Sequence, residues 1–179
     1  MLETAAMLAA ATGDTTKAET DYRRMLDIRA AAIGRDHPDT LDATLQLGLF
    51  LTRQGKAKGD ALVQRAHQHW LARIPADSAN GIRVRQGWAE WLLAKGRLDE
   101  AATTLAALQP VVASSPYAAI NQQILQARLT ESRGQTADAI THWQQVVTSA
   151  EALYGKDSAL TAQWGNALES ARKRLPAAH

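Results

Sequence analysis

The stretch AETDYRRMLDIRAAAIGRDHPDTLDATLQLGLFLTRQGK, residues 18–56, decides the fold. It consists of two runs of helical length that meet at the corner AIGRDHPDT, residues 32–40. In this corner Gly34 suits the position just past a helix end, because glycine readily adopts positive φ. Pro38 suits the first turn of the next helix, where its missing N–H costs nothing. The corner therefore predicts that one helix stops here and the next one starts at once.

The same corner places His37 between Asp36 and Asp39, which raises the alternative of an acid–histidine site. A similar stretch, LYGKDSALT, stands 121 residues further on, counted from Gly34 to Gly155. This echo favours a boundary between repeated helix pairs over a catalytic site. We therefore expect His37 to cap the helix that follows it.

Glycines recur at nearly regular intervals along the chain. Successive members of the set are 42, 41 and 38 residues apart: Gly13, Gly55, Gly96 and Gly134. Five residues after three of them stands an alanine, and nine residues after the same three stands a large side chain. The exception follows Gly55, where Asp60 occupies the alanine position and Gly59 is expected to absorb a one-residue slip. Such a period indicates antiparallel helix pairs that must stack to bury their apolar faces.

The spacing predicts an all-α protein with about four helix pairs and a C-terminal helix. The expected helices cover roughly residues 2–12, 15–33, 38–54, 57–73, 78–95, 98–112, 116–133, 136–154 and 157–175. We group them as one array over residues 1–179, with approximate units 1–33, 34–74, 75–113 and 114–154 and a C-terminal helix at 157–175.

The composition supports helices and narrows the functional classes. Hydrophobic residues make up 46% of the 179, with only one Phe, which is a poor supply for a β-sandwich. The 20 Lys and Arg face 18 Asp and Glu, too small a surplus to indicate nucleic-acid binding. The chain has no Cys, and it has no apolar run of about 18 residues that would span a membrane. We therefore expect a cytoplasmic helical protein.

Residues 18–56 and the glycine period resemble the tetratricopeptide repeat family. They are most similar to its long-repeat variety, with about 42 residues per unit as between Gly13 and Gly55, found in kinesin light chains and bacterial signalling proteins. The corner from Gly34 to Thr40 resembles the GxDHPDT-like corner of that variety. The resemblance implies a right-handed α-α superhelix whose first helices line a concave groove. It also implies a scaffold that holds peptides or proteins without chemistry, as in the C-terminal regulatory part of larger bacterial signalling proteins.

The sequence carries none of the common motifs for catalysis. It has no phosphate-binding G-x-x-x-x-G-K-[ST], no G-x-S-x-G and no H-E-x-x-H. His67 and His69 stand two residues apart on an expected helix, so they point to different sides and are poorly placed to share a metal. We therefore expect no enzyme activity, no cofactor and no metal site.

The helical period also selects the side chains that would line the groove. The predicted partner-binding residues are Leu49, Arg53, Arg83, Gln86, Glu90, Asn121, Arg128, Glu131 and Asn166. The set mixes polar groups with charges of both signs. It does not reproduce the cation and amide clamp by which some family members hold a C-terminal carboxylate.

Trp88 and Trp91 stand three residues apart and share a helical face. They could form an aromatic groove floor, but packing between helices is the favoured interpretation for large side chains. Of the two, we expect Trp91 to be the more exposed.

Two functional hypotheses follow. The first is a protein- or peptide-binding module that uses the groove. The alternative is a structural module that forms a homo-oligomer through the ends of the array, which are apolar unless dedicated polar caps cover them. The first expected helix, LETAAMLAAAT at residues 2–12, is mostly apolar and fits an uncapped end. Neither hypothesis involves nucleic acid or a membrane.

Overall fold

The computed structural model describes residues 2–71, 75, 77–113 and 115–174. Within these ranges every regular element is an α-helix, and the helices are α1 Leu2–Ala11, α2 Thr15–Ile33, α3 Pro38–Arg53, α4 Lys58–Leu71, α5 Ala79–Ala94, α6 Leu98–Val112, α7 Pro116–Ser132, α8 Thr136–Tyr154 and α9 Ala159–Arg172. The predicted all-α class is confirmed. The helix ends agree with the sequence-based ones to within two residues, except that the expected ends at residues 73 and 175 lie outside the described residues.

The helices gather into two compact units, Met1–Ala94 and Lys95–His179, called unit 1 and unit 2 below. In unit 1, α1 pairs with α2 and α3 pairs with α4, while α5 packs on α3 and α4. In unit 2, α6 packs on α7, and α8 packs on both α7 and α9. Neighbouring helices thus pack in pairs, as the repeat pattern predicted. The grouping of all helices into a single array over residues 1–179 remains a prediction.

The two corners that share a sequence pattern also share a backbone conformation. Gly34 has φ and ψ of 90° and 158°, and Gly155 has 87° and 156°, which are angles that favour glycine. Three residues later, His37 Nδ1 accepts a hydrogen bond from the Asp39 N–H at 3.2 Å. Ser158 Oγ does the same for the Leu160 N–H, also at 3.2 Å. The prediction that His37 caps the following helix is therefore confirmed.

The helix α4 departs from the period of the other second helices. After Gly13, Gly96 and Gly134 the fifth residue is a fully buried alanine, whereas after Gly55 the buried small residue is Gly59, one position early. A Cβ on Gly59 would lie 2.5 Å from the Thr52 nitrogen and 2.6 Å from the Gly48 oxygen, so α4 lies against α3 at this point. Asp60, displaced from the alanine position, accepts a hydrogen bond from Trp91 Nε1 at 2.9 Å. A one-residue slip is therefore present at Gly59, but it runs one position early, and Ala61, the alanine that stands one position late, is exposed.

Each unit has its own apolar core. In unit 1 the core joins α1, α2 and α3, and the rings of Tyr22 and Phe50 lie 5.3 Å apart at its centre. In unit 2 it joins α7, α8 and α9 around Trp143, whose ring stacks on Trp164 at 6.1 Å.

The tryptophans of α5 pack in the interior, as favoured, but their relative exposure was predicted wrongly. Trp91 is buried, and Trp88 is the partly exposed one. The Trp88 ring stacks between two other rings, with centroid distances of 4.7 Å to Trp91 and 3.9 Å to His67 of α4. The hydrogen bond from Trp91 to Asp60 explains the difference, because it draws the Trp91 ring toward α4.

Candidate binding face on α3 and α5

In unit 1 the helices α3 and α5 lie side by side and run in the same direction. Three successive contacts show this, because residues further along α3 meet residues further along α5: Asp42 with Arg83, Leu45 and Leu49 with Gly87, and Arg53 with Glu90. We call these residues the α3–α5 face. The face is polar at both ends and apolar in the middle.

One end of the face is an exposed ion pair. Arg53 donates from Nε and Nη2 to Glu90 Oε1, at 2.8 and 2.6 Å. The Arg53 side chain is 57% exposed, so the guanidinium lies at the surface while it bridges the two helices. An exposed pair of this kind contributes little to stability, about 0 to 1 kcal/mol. The Arg53 guanidinium can therefore exchange its hydrogen bonds with those of a partner at low cost.

The middle of the face is a close approach of the two helices. A Cβ on Gly87 would meet Leu45 Cδ2 at 2.9 Å and Leu49 Cδ1 at 3.2 Å, so a larger residue here would push the ends of the two leucine side chains aside. Leu49 is partly exposed above the contact. The result is a shallow apolar strip between the two charged ends.

The other end is a charged network with a buried centre. The Asp42 side chain is 4% exposed and lies 3.1 Å from Arg83 Nη2 and 3.5 Å from Arg29 Nη1. Gln46 Nε2 donates to both Asp42 Oδ2, at 3.0 Å, and Glu3 Oε1, at 2.8 Å. The network therefore links α1, α2, α3 and α5. Arg83 forms its outer edge, because its side chain is 50% exposed.

The pKa values of the two carboxylates of this network, Asp42 and Glu3, shift in opposite directions. Burial raises the pKa of Asp42, with Glu3 adding to the effect, and the charge of Arg83 offsets it only in part. Burial also acts to raise the pKa of Glu3, but the Gln46 hydrogen bond and the charges of Arg83 and Arg29 together outweigh it and lower that pKa.

The structure brings together four of the predicted residues of unit 1. Leu49, Arg53, Arg83 and Glu90 all lie on the α3–α5 face.

Gln86 does not join them. It is 4% exposed, because α5 approaches α3 closely at the next residue, Gly87, and this turns Gln86 inward. The expectation that Gln86 lines an open groove is wrong for this reason.

The predicted binding residues of unit 2 lie on α7 and α9, each of which follows a corner between helix pairs. Asn121 and Arg128 are exposed and stand seven residues apart, on one side of α7. Glu131 is partly buried and accepts a hydrogen bond from Arg174 Nη1 at 3.0 Å. Asn166 is exposed on α9, and its backbone carbonyl accepts from Ser170 Oγ at 2.8 Å.

The sequence reasoning missed the buried carboxylate and its ligands. Asp42 stands inside the apolar run TLDATLQLGLF, residues 40–50, and Gln46 follows it by one helical turn. A lone carboxylate in an apolar helical run requires a cationic partner, and this signal was available. The partner itself, Arg83, is 41 positions away (83 − 42) and no local pattern points to it.

The arrangement offers hydrogen bonds, charges and an apolar strip. His67 stacks on Trp88, and His69 Nδ1 lies 3.6 Å from Asp36, so the two histidines face different neighbours. Among the described residues no group of three or more His, Asp or Glu side chains could hold a metal ion. In the same part of the chain no helix has the length and hydropathy needed to cross a membrane.

Comparison with known protein families identifies a repeat at the start of the chain. The family model described as tetratricopeptide repeat matches residues 2–39, which are α1, α2 and the corner up to Asp39. No curated protein has a detectably similar sequence. The match and the paired all-α architecture agree, and repeats of this family generally mediate protein–protein interactions. Residues 2–39 therefore match a tetratricopeptide repeat, and the paired packing of the later helices is consistent with further repeats of this kind.

Proposed function

We propose that the protein is a non-catalytic scaffold that binds an extended segment of a partner protein on the α3–α5 face. The observation that supports this most is the layout of the face, with the apolar strip at Leu49 and Gly87 between the Arg53–Glu90 pair and the Asp42–Arg83 pair. Both arginines are about half exposed, so they can reach a ligand while they remain anchored by a carboxylate.

The length of the face sets the length of the ligand. From Asp42 to Arg53 the helix α3 rises about 16 Å at about 1.5 Å per residue. An extended peptide covers this distance with about five residues. The best ligand has an apolar side chain over Leu49 and a polar or charged side chain on each side of it, which can bond to Arg53, Glu90 and Arg83.

A peptide library displayed on phage, panned against the unmodified protein, tests the proposal. We expect the enriched peptides to lose at least about tenfold in affinity to the double variant Arg53→Ala/Glu90→Ala, which removes both partners of this ion pair. Leu49→Lys should weaken them similarly. Arg24→Ala/Lys156→Ala is the matched control, since both residues are exposed and lie elsewhere.

Two outcomes would count against this face. One is a set of enriched peptides whose affinity is the same for the Arg53→Ala/Glu90→Ala variant and for the control. The other is a selection that enriches no peptide above background.

The alternative function, self-association through an end of the array, has its own supporting observation. On α1 the side chains of Met7 and Leu8 are 57% and 64% exposed, which is unusual for adjacent large apolar residues in one short helix. Sedimentation velocity over a wide concentration range tests it. We expect a concentration-dependent dimer or larger species that Leu8→Glu abolishes, while Ile28→Glu on α2, also an exposed apolar position, does not. A monomer at every concentration would exclude this alternative.

The cytoplasmic setting and the origin in a larger bacterial signalling protein, both expected from the sequence, stay predictions.

A further inference from the structure

A second surface of unit 1 lies between the second helices of its pairs, α2 and α4, and the proposed function does not use it. Both helices pack on α3, and the space between them holds cavities of about 420 and 230 Å³. The two cavities share Leu26, Asp27 and Leu62, so they are sections of one groove, called here the α2–α4 groove.

One wall of the groove is a single face of α2. Its lining residues follow the spacing i, i+3, i+4, i+7: Arg23, Leu26, Asp27 and Ala30. Leu26 is partly exposed and forms the apolar centre of this wall. Arg23 pairs with Glu19 at 2.7 Å and lies at the rim.

The facing wall is a single face of α4 with the same spacing: Lys58, Ala61, Leu62 and Arg65. Here too the apolar residues stand in the middle and the charges stand at the ends. Leu47 and Leu51 of α3 close the floor. Seven residues of helix on each wall correspond to about 10 Å, so the groove is about two helical turns long.

The rim of the groove is mainly cationic. Arg23, Arg35, Lys58 and Arg65 line it, against the single carboxylate Asp27. Arg35 and Lys58 are exposed, and within the described residues their side chains have no hydrogen-bond or ion-pair partner. An apolar floor between unpaired cations is complementary to an apolar stripe between carboxylates.

We propose that the α2–α4 groove binds an acidic amphipathic helix of a partner protein, two to three turns long. Leucine-sized side chains at i, i+3, i+4 and i+7 of that helix fill the space over Leu47 and Leu51. Its flanking Asp and Glu side chains pair with Arg35 and Lys58. Among the described residues of unit 2, the cavity of about 370 Å³ over α6 and α7 is lined by one cation, Arg133, which pairs with Asp99 at 2.7 Å, so this cavity does not present the same unpaired charge.

Fluorescence anisotropy with a labelled synthetic peptide tests the proposal. The probe is a helical peptide with leucines on one face and glutamates on both flanks. We expect saturable binding that weakens as salt is added. We also expect the Arg35→Glu/Lys58→Glu variant to bind the probe at least about tenfold more weakly. A peptide of the same composition with its leucines spread around the helix, and a peptide with lysine in place of glutamate, should each bind at least about tenfold more weakly to the unmodified protein.

Two control variants and one milder groove variant show whether the probe binds in the groove itself. Arg24→Glu/Lys156→Glu makes the same change of charge outside the groove and should keep the affinity. Arg53→Ala/Glu90→Ala should keep it as well, which distinguishes this site from the α3–α5 face. If the Arg35→Glu/Lys58→Glu variant unfolds unit 1, the milder variant Arg35→Gln/Lys58→Gln takes its place. Its helix content is checked by circular dichroism, and we expect it to bind the probe more weakly than the unmodified protein does.

The proposal is wrong if the unmodified protein shows no saturable binding of the probe up to millimolar peptide. It is equally wrong if the groove variants lose no more affinity than the Arg24→Glu/Lys156→Glu control. A dispersed-leucine peptide that binds as well as the probe would also overturn it.

Discussion

Both units are built from paired helices, but the contacts that hold neighbouring helices together differ in chemistry between the two. In unit 1 polar side chains cross from helix to helix, as in the Asp42 network, the Arg53–Glu90 pair and the Trp91 bond to Asp60. Unit 2 also has polar contacts between helices, from Arg133 to Asp99 and from Gln122 Nε2 to the Leu105 carbonyl, but they lie outside its core. That core is built from Trp143, Trp164 and their apolar neighbours, and the buried Trp143 Nε1 has no hydrogen-bond partner among the described residues. A repeat thus fixes where helices pack and leaves open how the contact is made. Three measurements compare a change in unit 1 with a matched change in unit 2, and one measurement concerns unit 1 alone.

The largest contrast is expected between two glycine-to-alanine changes. Gly59→Ala places a methyl group against backbone atoms of α3, so α4 must shift, and unit 1 should lose about 2 to 3 kcal/mol of unfolding free energy. Gly165→Ala in α9 has no atom within 4 Å and should stabilise unit 2 by about 0.5 to 1 kcal/mol. Urea denaturation followed by circular dichroism measures both. Equal effects would mean that α4 is not held against α3.

The next contrast comes from replacing one buried tryptophan in each unit by phenylalanine. Both changes remove similar apolar area, but Trp91→Phe also takes a hydrogen bond from Asp60, whereas Trp143→Phe removes an N–H with no acceptor among the described residues. We expect Trp91→Phe to cost about 1 to 2 kcal/mol more than Trp143→Phe. The same urea experiment decides this. A larger loss for Trp143→Phe would contradict a stabilising hydrogen bond between Trp91 and Asp60.

A third measurement uses pH and concerns unit 1 only. Burial, with the nearby charge of Arg85, lowers the pKa of His67 from 6.5 to about 4. Between these values the unfolded chain takes up a proton that the folded chain does not. The stability contributed by neutral His67 is therefore complete above pH 6.5 and is lost as the pH falls toward about 4.

The loss should amount to about 1 to 2 kcal/mol after discounting for the partial exposure of the ring. His67→Gln removes the titration, so the difference in unfolding free energy between the two proteins should change across this window and stay constant above it. Parallel pH profiles for the two proteins would rule out a buried neutral imidazole.

The smallest contrast concerns the caps of the two corners. His37→Ala and Ser158→Ala each remove one acceptor of a backbone N–H and should cost about 1 kcal/mol. His37→Ser converts the corner of unit 1 to the chemistry of the corner of unit 2, and the change should stay within about 0.5 kcal/mol. If His37→Ser proves as costly as His37→Ala, the backbone geometries of the two corners are not equivalent.

Features set by neighbouring residues were predictable from the sequence. Helix ends depend on glycine, proline and caps within a few positions, and so the corners at Gly34 and Gly155 were predicted, together with the cap residue His37 at the first of them. The slip at Gly59 was visible for the same reason, as a local break in a period.

Features set by contacts between distant residues were not predictable in this way. Trp91 is buried because Asp60 lies opposite it, 31 positions earlier in the chain. Gln86 faces inward because α5 approaches α3 at Gly87, which depends on the fold of the whole unit. For the same reason the face of α5 that remains open could be assigned only from the structure.

The slip in α4 has a consequence for any attempt to regularise the repeat. One residue of helix is about 100° of rotation, so moving the inward position from the fifth residue after the turn to the fourth changes the phase of the entire helix. In this phase Gly59, Val63 and Ala66 point inward, and Leu62 is left partly exposed toward α2. A consensus redesign that restored the common period would turn Leu62 and Ala61 away from the α2–α4 groove. The irregularity of one repeat is thus a means by which a periodic fold acquires a surface that its period alone does not encode.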